Sequence, residues 1–514
     1  MSRTHSRPNV CTITAMDFAR VKELAARREA PVSSHSGKIA NGGIFVSLPK
    51  AVPVTEHGPD YSGAETFLAN AVNAGAKYVV CTESVLAKAA PMFTGNTDPG
   101  DGEIFAAVVP DTRVSLGELA AAWYKTENSS IRLLGITGTN GKTTSTYLLE
   151  AILRASGEIP GVIGTVEYRW PGHEEASPLT TPDCMTLHSM VAAMNEANAT
   201  TALMEVSSHA IEQNRIAGLK FTGALFTNLT QDHLDYHKDM EEYFEVKGRL
   251  FRGTGSDSGP EALAANVDDV YGERLWKSVP GTLGFGLNRE GDNILSGKIL
   301  RQSREGLVLR MALDGKSWEL KSPLVGAFNA YNLLGAQALA LAFGVPVEAF
   351  SVLETFGGVP GRLERVLNPR GLSVFVDYAH TPDALEKALA ALRGANFKRV
   401  VTVFGCGGNR DRTKRPLMGK AASLLSDVVV LTSDNPRKED PLAIMADVRP
   451  GLTDAKEVIE EEDRKKAIEI ALDILGPQDA LLIAGKGHEP YQIIGDTKYP
   501  FSDQAVVREF LGCA

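Results

Sequence analysis

Short apolar runs alternate along this chain with longer stretches whose apolar positions recur at helical spacing. Residues 133–137, 201–206 and 224–227 read as buried strands, and 327–343 as a helix apolar on most sides. This alternation predicts a parallel sheet with helices on both faces. After a Gly/Pro cluster at 357–362, suited to a hinge or linker, four more apolar strands follow at 372–376, 399–404, 427–431 and 480–484. Each runs directly into a polar, glycine-bearing or charged loop, at 377–382, 405–412, 432–440 and 485–489. Ligands of open parallel sheets bind beyond the carboxyl ends of the strands, so four such loops predict a site. Near the start, 43–47 and 78–81 read as strands, with a helix over 64–74 that Gly75 ends. The polar patches at 94–102 and 253–259 read as surface loops.

The pattern predicts an α/β protein of three domains. A small N-terminal α/β domain spans 1–120, a central P-loop-type domain on a parallel sheet spans 121–356, and a C-terminal Rossmann-like domain spans 357–514. Length agrees, since 514 residues exceed one hydrophobic core and suggest about three domains. With 43% apolar and 23% charged residues, wholesale disorder is excluded. A net charge of -10 argues against a sequence-independent nucleic-acid binder but leaves room for a basic pocket. Cys11, Cys81, Cys184, Cys406 and Cys513 are scattered, which is neither a disulfide framework nor a zinc site. Cys406 reads as a small buried thiol rather than a nucleophile. No apolar run reaches the roughly 18 residues of a membrane span, so no membrane partner is expected. Arg3 and Arg7 precede no apolar region, and Asp17 and Glu23 weigh against a transit peptide. The chain is expected to be unprocessed and cytoplasmic.

The sharpest motif is Gly138-Thr139-Asn140-Gly141-Lys142-Thr143-Thr144, between a buried strand and an amphipathic helix carrying Leu148, Ile152 and Ala155. Glycines let successive N–H groups turn toward one anion, and the helix N-terminus adds its positive end. Lys142 supplies a mobile cation for outer phosphates, and the Thr143 hydroxyl suits a magnesium ion. Ile136 stands where the usual GxxxxGK[ST] spacing has glycine, so the loop is a variant. No full GxGxxG fingerprint exists, so no dinucleotide cofactor is expected. Glu205 ends a strand and is either a hard-cation ligand or a capping group. His233 shares a loop with Asp232, Asp235 and His237 and is either structural or functional. Lys247, taken alone, reads as a solvated surface lysine.

Together these segments resemble the Mur ligases of peptidoglycan synthesis, in the branch that adds the third residue of the stem peptide. The carriers are the phosphate loop, Thr180-Thr181-Pro182, Glu205 to His209 with Gln213 and Arg215, Asp232 to His237, Lys247, Gly326-Ala327-Phe328-Asn329, Val359 to Arg362, Asp377 to Pro382, Gly405 to Arg410, Asp434-Asn435-Pro436-Arg437 and Gly485 to Glu489. The resemblance implies an ATP-dependent ligase joining meso-2,6-diaminopimelate to UDP-N-acetylmuramoyl-L-alanyl-D-glutamate through an acyl phosphate, in cytoplasmic peptidoglycan precursor synthesis.

By the same resemblance, Lys142, His233 and Lys247 are catalytic. Thr143, Glu205, His233 and a carbamylated Lys247 hold magnesium (Mg2+). The phosphate loop with Asn329 and Arg362 binds ATP. Ser36, Thr180, Thr181, Ser207, Gln213 and Arg215 contact the nucleotide-linked dipeptide. Ser36 lies in His35-Ser36-Gly37, where family members carry Asp-Ser-Arg. Arg410, Asp434, Asn435, Pro436, Arg437, Gly485 and Glu489 are the diaminopimelate set, and Asp377 and His380 share its edge. Diaminopimelate differs from lysine by one distal carboxylate, for which Arg437 offers a planar, bidentate fork; without the resemblance, Arg437 reads as part of a surface turn. A monomer is expected. Other readings are a lysine-adding relative, which Arg437 disfavours, a folylpolyglutamate synthase, which the domain ahead of the phosphate loop disfavours, and a non-catalytic interaction protein, disfavoured by the presence of Lys142, Glu205, His233 and Lys247.

Overall fold

A computed structural model describes residues 12–51, 59–93, 103–232, 236–253 and 259–513. The chain forms two compact units, one of residues 1–142, 157–265 and 269–282, the other of 143–156, 266–268 and 283–514. The glycine-rich patch at 94–102 and most of that at 253–259 lie outside the described residues.

The first unit holds two sheets. One runs in the order Thr12–Ala15, Glu103–Val108, Tyr78–Cys81, Ile44–Val46, Val32–Ser33, all parallel. Apolar clusters cover both its faces, with the helix Ala64–Asn73 on one side and Thr112–Tyr124 on the other. The other sheet has the parallel order Ala262–Asn266, Phe221–Phe226, Arg132–Thr137, Thr201–Glu205, Pro160–Ile163. The strands Glu167–Trp170 and His173–Ala176 continue it antiparallel. The strand expected at 224–227 spans Phe221–Phe226, with a register shift between Phe221 and Gly223. Residues whose side chains are buried on both faces give continuous apolar runs, which is why these strands were readable.

In the second unit, strands Leu283–Leu287, Ile294–Ser303, Gly306–Leu313 and Lys316–Ser322 pair in order, the first two parallel and the rest as an antiparallel meander. The helix Ala327–Ala342 packs on them so closely that a Cβ on Gly297 would stand 2.5 Å from Leu334. A six-stranded sheet follows, ordered Glu364–Arg365, Ser373–Asp377, Ala480–Ala484, Val400–Phe404, Val428–Leu431, Glu457–Glu460. Only its first pair is antiparallel. Apolar side chains fill both faces. The three parallel sheets are those of the expected α/β architecture. Among the described residues no helix is long and apolar enough to cross a membrane.

Candidate active site

The strand Arg132–Thr137 delivers the chain into the phosphate loop, and the helix Lys142–Ala155 leaves it. Gly138 has φ 140° and Gly141 φ 86°, both in the glycine-favouring region. A Cβ on Gly138 would lie 2.0 Å from Thr227 Oγ1 and 2.9 Å from the Asn228 carbonyl oxygen. The loop is also clamped from the neighbouring strand end. Asn228 accepts from the Thr139 N–H at 2.8 Å and, through its side chain, from the Asn140 N–H at 3.0 Å. Thr227 Oγ1 donates to the Asn140 carbonyl at 2.6 Å. Lys142 Nζ donates to the carbonyls of Gly138 and Thr139, both at 2.9 Å. Thr143 and Thr144 follow, buried, in the first turn of the helix.

Lys247 corrects the sequence reading. It is not a solvated lysine but 1% exposed, on the inner face of the helix Met240–Arg252. Asp239 caps that helix by accepting from the Glu242 N–H at 2.8 Å. Lys247 Nζ donates to the Gly138 carbonyl at 3.1 Å and to Thr137 Oγ1 at 3.4 Å, and stands 4.8 Å from the centre of the Tyr243 ring. Burial pushes its ammonium well below the ordinary lysine range, the charge on Lys142 adds to this, and Asp232 opposes it. The signal was present: the neighbours three and four positions away are Tyr243, Phe244, Leu250 and Phe251, all apolar.

Glu205 closes the strand Thr201–Glu205 and is buried. Its carboxylate accepts from the Thr165 N–H at 2.9 Å and from Thr165 Oγ1 at 2.8 Å. The Thr165 hydroxyl lies 3.1 Å from that of Thr180. Thr181 Oγ1 donates to the Glu205 carbonyl at 2.8 Å and accepts from the Ser207 N–H at 3.1 Å. Arg215 donates to the Thr181 carbonyl at 2.9 Å and to Gln213 Oε1 at 2.9 Å. Gln213 donates in turn to the Tyr236 hydroxyl at 3.1 Å, and Tyr236 donates to Glu212. Burial, with Glu212 beside it, pushes the Tyr236 phenol up to about 12. Thr180, Thr181, Ser207, Gln213 and Arg215 thus form one connected polar surface beside Glu205. Thr165 and Tyr236 belong to it without having been assigned a role from the sequence: a lone threonine carries no motif, and Tyr236 lies in the segment Asp232 to His237 beside the more conspicuous histidines. Ser36 opens the short turn Ser36–Lys38 beside the five-stranded sheet, half-buried. His233 lies outside the described residues.

In the second unit, Asn329 is buried in the first turn of the helix Ala327–Ala342, where it donates to the Val325 carbonyl at 2.8 Å and accepts from Asn332 at 3.0 Å. Arg362 stacks over Tyr378 with 5.0 Å between its guanidinium carbon and the ring centre. Asp377 is pinned by the N–H groups of Leu363 at 2.6 Å and Ala379 at 2.8 Å. Burial raises its carboxyl, against the opposing charge of Arg362. His380 Nδ1 lies 2.9 Å from the Tyr378 carbonyl.

The loops after Val400–Phe404, Val428–Leu431 and Ala480–Ala484 meet at one edge. Arg437 has φ 52°, is half-buried, and donates from Nη1 to the Gly408 carbonyl at 2.9 Å. Gly407 packs against two arginine side chains, for a Cβ on it would be 3.0 Å from Arg437 Nη1 and 3.7 Å from the aliphatic Arg410 Cγ. A Cβ on Gly408 would lie 1.9 Å from the Pro436 carbonyl oxygen. Asn435 Nδ2 donates to Glu489 Oε2 at 3.0 Å, and Gly485 packs where a Cβ would be 2.6 Å from Asp434 Oδ2. Arg410, Asp434, Asn435, Pro436, Arg437, Gly485 and Glu489 therefore converge. Beneath them lie Lys486 and the pair Arg464 and Asp503, fully buried, none of which the sequence reading found. Arg415, also buried, donates to the Gly407 carbonyl of the glycine loop at 3.4 Å and is itself held by Glu439 at 2.9 Å and Asp447 at 2.8 Å. Burial pushes the Cys406 thiol up to about 12, which suits the inert role expected of it.

A phosphate loop backed by a buried lysine, and a cluster of polar strand-end loops on a Rossmann-like sheet, fit an ATP-dependent ligase. The middle-domain model of the Mur ligases matches residues 136–340, and the Mur ligase, glutamate ligase domain matches 361–487. The chain belongs to the Mur ligase family. It is 53% identical over 93% of its length, and 95% of the relative's, to the UDP-N-acetylmuramoyl-L-alanyl-D-glutamate--2,6-diaminopimelate ligase of Lawsonia intracellularis. The protein of that name from Thermosynechococcus vestitus is 44% identical over 82% of this chain and 85% of its own. A solved structure of a ligase with the same name superimposes with a TM-score of 0.67 at 32% identity, covering 94% of both chains.

Proposed function

We propose that this chain joins meso-2,6-diaminopimelate to UDP-N-acetylmuramoyl-L-alanyl-D-glutamate, with ATP as co-substrate, in cytoplasmic peptidoglycan precursor synthesis and as a monomer. The observation that carries this reading is Arg437, held against the glycine loop by its bond to the Gly408 carbonyl, beside Asn435 and the Glu489 carboxylate that Asn435 holds. A guanidinium in this cluster matches an amino acid with a second, distal carboxylate, a group that lysine lacks. The identity to ligases of that name supports it. Residues 1–120 take the uridine side, with Ser36; 121–356 take ATP; 357–514 take the amino acid.

The chemistry follows from charge. The substrate carboxylate is a poor electrophile, so it first accepts the γ-phosphoryl group of ATP and ADP leaves. The amine of diaminopimelate then attacks the acyl carbon, the C–O bond to phosphate breaks, and the nitrogen loses a proton. Lys142 and the N–H groups of the phosphate loop stabilise the transferring phosphoryl group. Arg215, held by Gln213 and Thr181, orients the dipeptide. Asn329 and Arg362 serve the nucleotide.

Glu205 fits a magnesium site, being a buried carboxylate at a strand end among threonine hydroxyls. Among the described residues no three His, Cys, Asp or Glu side chains gather, and Mg2+ is characteristically held by one or two carboxylates plus phosphate oxygens and water. Thr143, Glu205, His233 and Lys247 would hold it. Bound magnesium neutralises phosphate charge. Burial favours the uncharged amine of Lys247, the form that takes up carbon dioxide by forming an N–C bond and losing a proton to give a carbamate anion. Phosphate release on mixing the UDP-linked dipeptide, ATP and magnesium with each amino acid separately tests the function. Release with diaminopimelate and not lysine is expected, and release with neither would overturn it.

A further inference from the structure

Lys486 is 0% exposed, in the tight turn Gly485-Lys486-Gly487 where the flanking glycines have φ 117° and 56°. A lysine is almost never wholly buried without a partner. Here Nζ donates to Asn435 Oδ1 at 3.1 Å and stands 3.5 Å from Glu489 Oε2. The N–H of Ile493 donates to the same Asn435 oxygen at 2.9 Å. Two donors on Oδ1 fix which way the amide faces, because a flipped amide would present NH2 to both. The NH2 group is thereby directed at Glu489 Oε2, 3.0 Å away.

We propose that Lys486 is a positioning residue of the amino-acid pocket: its ammonium sets the Asn435 amide and the Glu489 carboxylate in the orientation that receives the incoming amino acid. The inference rests on the function proposed above. It assigns Lys486 no contact with substrate. Burial lowers its ammonium from the ordinary lysine range and Arg464 adds to this, while Asp434 and Glu489 oppose it. A lysine that merely pins two loops together would, when lost, lower stability and weaken all three substrates alike. A positioning lysine acts on one of them.

The test compares wild type, Lys486→Met, Asn435→Ala, the double variant and Asn435→Asp, reading kcat and the KM of each substrate by phosphate release. For Lys486→Met, KM for diaminopimelate is expected to rise about 10- to 100-fold, while KM for ATP and for the UDP-linked dipeptide stays within about twofold. Asn435→Ala should match it, and the double variant should be no worse than the weaker single, because both remove one device. Asn435→Asp keeps the acceptor for Lys486 but puts an anion against Glu489, so KM for diaminopimelate should rise with no loss of melting temperature. Where Lys486→Met does not fold, an unchanged diaminopimelate KM in Asn435→Asp still overturns the inference. Multiplying effects in the double variant, or an unchanged diaminopimelate KM in Asn435→Asp, would overturn the inference. A wild type that releases no phosphate with diaminopimelate would instead overturn the proposed function.

Discussion

The amine of Lys247 lies 3.1 Å from the carbonyl oxygen of Gly138 and donates to it, beneath the first residue of the phosphate loop. Lys142 reaches the same carbonyl at 2.9 Å. Two lysines on one oxygen cannot both carry full charge cheaply, and the one without water gives up its proton more readily. Lys247→Met should therefore cut kcat by about a hundredfold or more while leaving the fold intact. In wild type supplied with 13C-labelled bicarbonate, a carbamate carbon resonance should appear, and it should be missing from Lys247→Met. Full activity in the variant would remove Lys247 from the mechanism.

Arg437→Ala should raise KM for diaminopimelate about a hundredfold and leave ATP binding unchanged. Arg437→Lys should restore little, since an ammonium cannot reproduce the two parallel donors of a guanidinium. Titration of each variant with diaminopimelate at saturating ATP checks both. An unchanged apparent affinity for diaminopimelate in Arg437→Ala would refute the role.

Arg464 donates to both oxygens of Asp503 at 2.8 Å, and both side chains are 0% exposed. Asp503→Ala strands a guanidinium without its partner and should cost about 3–5 kcal/mol in urea unfolding. Replacing both, as Arg464→Met with Asp503→Leu, should recover most of that loss. Equal losses in single and double variants would mean that the pair matters for its shape and not its charge.

His488 links stability to pH. Burial, then the charge of Arg362, lowers its imidazole from 6.5 to about 4, and its Nδ1 is buried with no hydrogen-bond partner among the described residues. A depressed histidine binds fewer protons folded than unfolded, so its contribution is intact above about pH 6.5 and is lost as pH falls toward about 4. His488→Gln should show a smaller drop in melting temperature than wild type between about pH 7 and about pH 5. Parallel drops would show that other groups carry the acid sensitivity.

The parallel strands were legible because burial on both faces leaves unbroken apolar runs. The meander over Leu283–Leu287 to Lys316–Ser322 was not read, since Lys298, Arg301, Arg310 and Glu319 break its pattern with exposed charges. The phosphate loop was legible because everything it needs is local. Lys247 was misread alone, although its apolar neighbours at helical spacing mark the inner face. Lys486, Arg464 and Asp503 were invisible for a different reason. Their meaning lies in partners dozens of positions away, and a buried charge reads as a surface one until its partner is seen.

The backbone of Pro436 fills the space that any side chain at Gly408 would need. The turn that offers Arg437 and the glycine loop that backs it are thus interlocking teeth, shaped to each other and not separately replaceable. A change of amino-acid choice by descent or by engineering would have to move both segments as one cassette. Grafting the Asp434-Asn435-Pro436-Arg437 turn alone onto a relative with a bulkier residue at the Gly408 position would import the arginine without the seat that aims it.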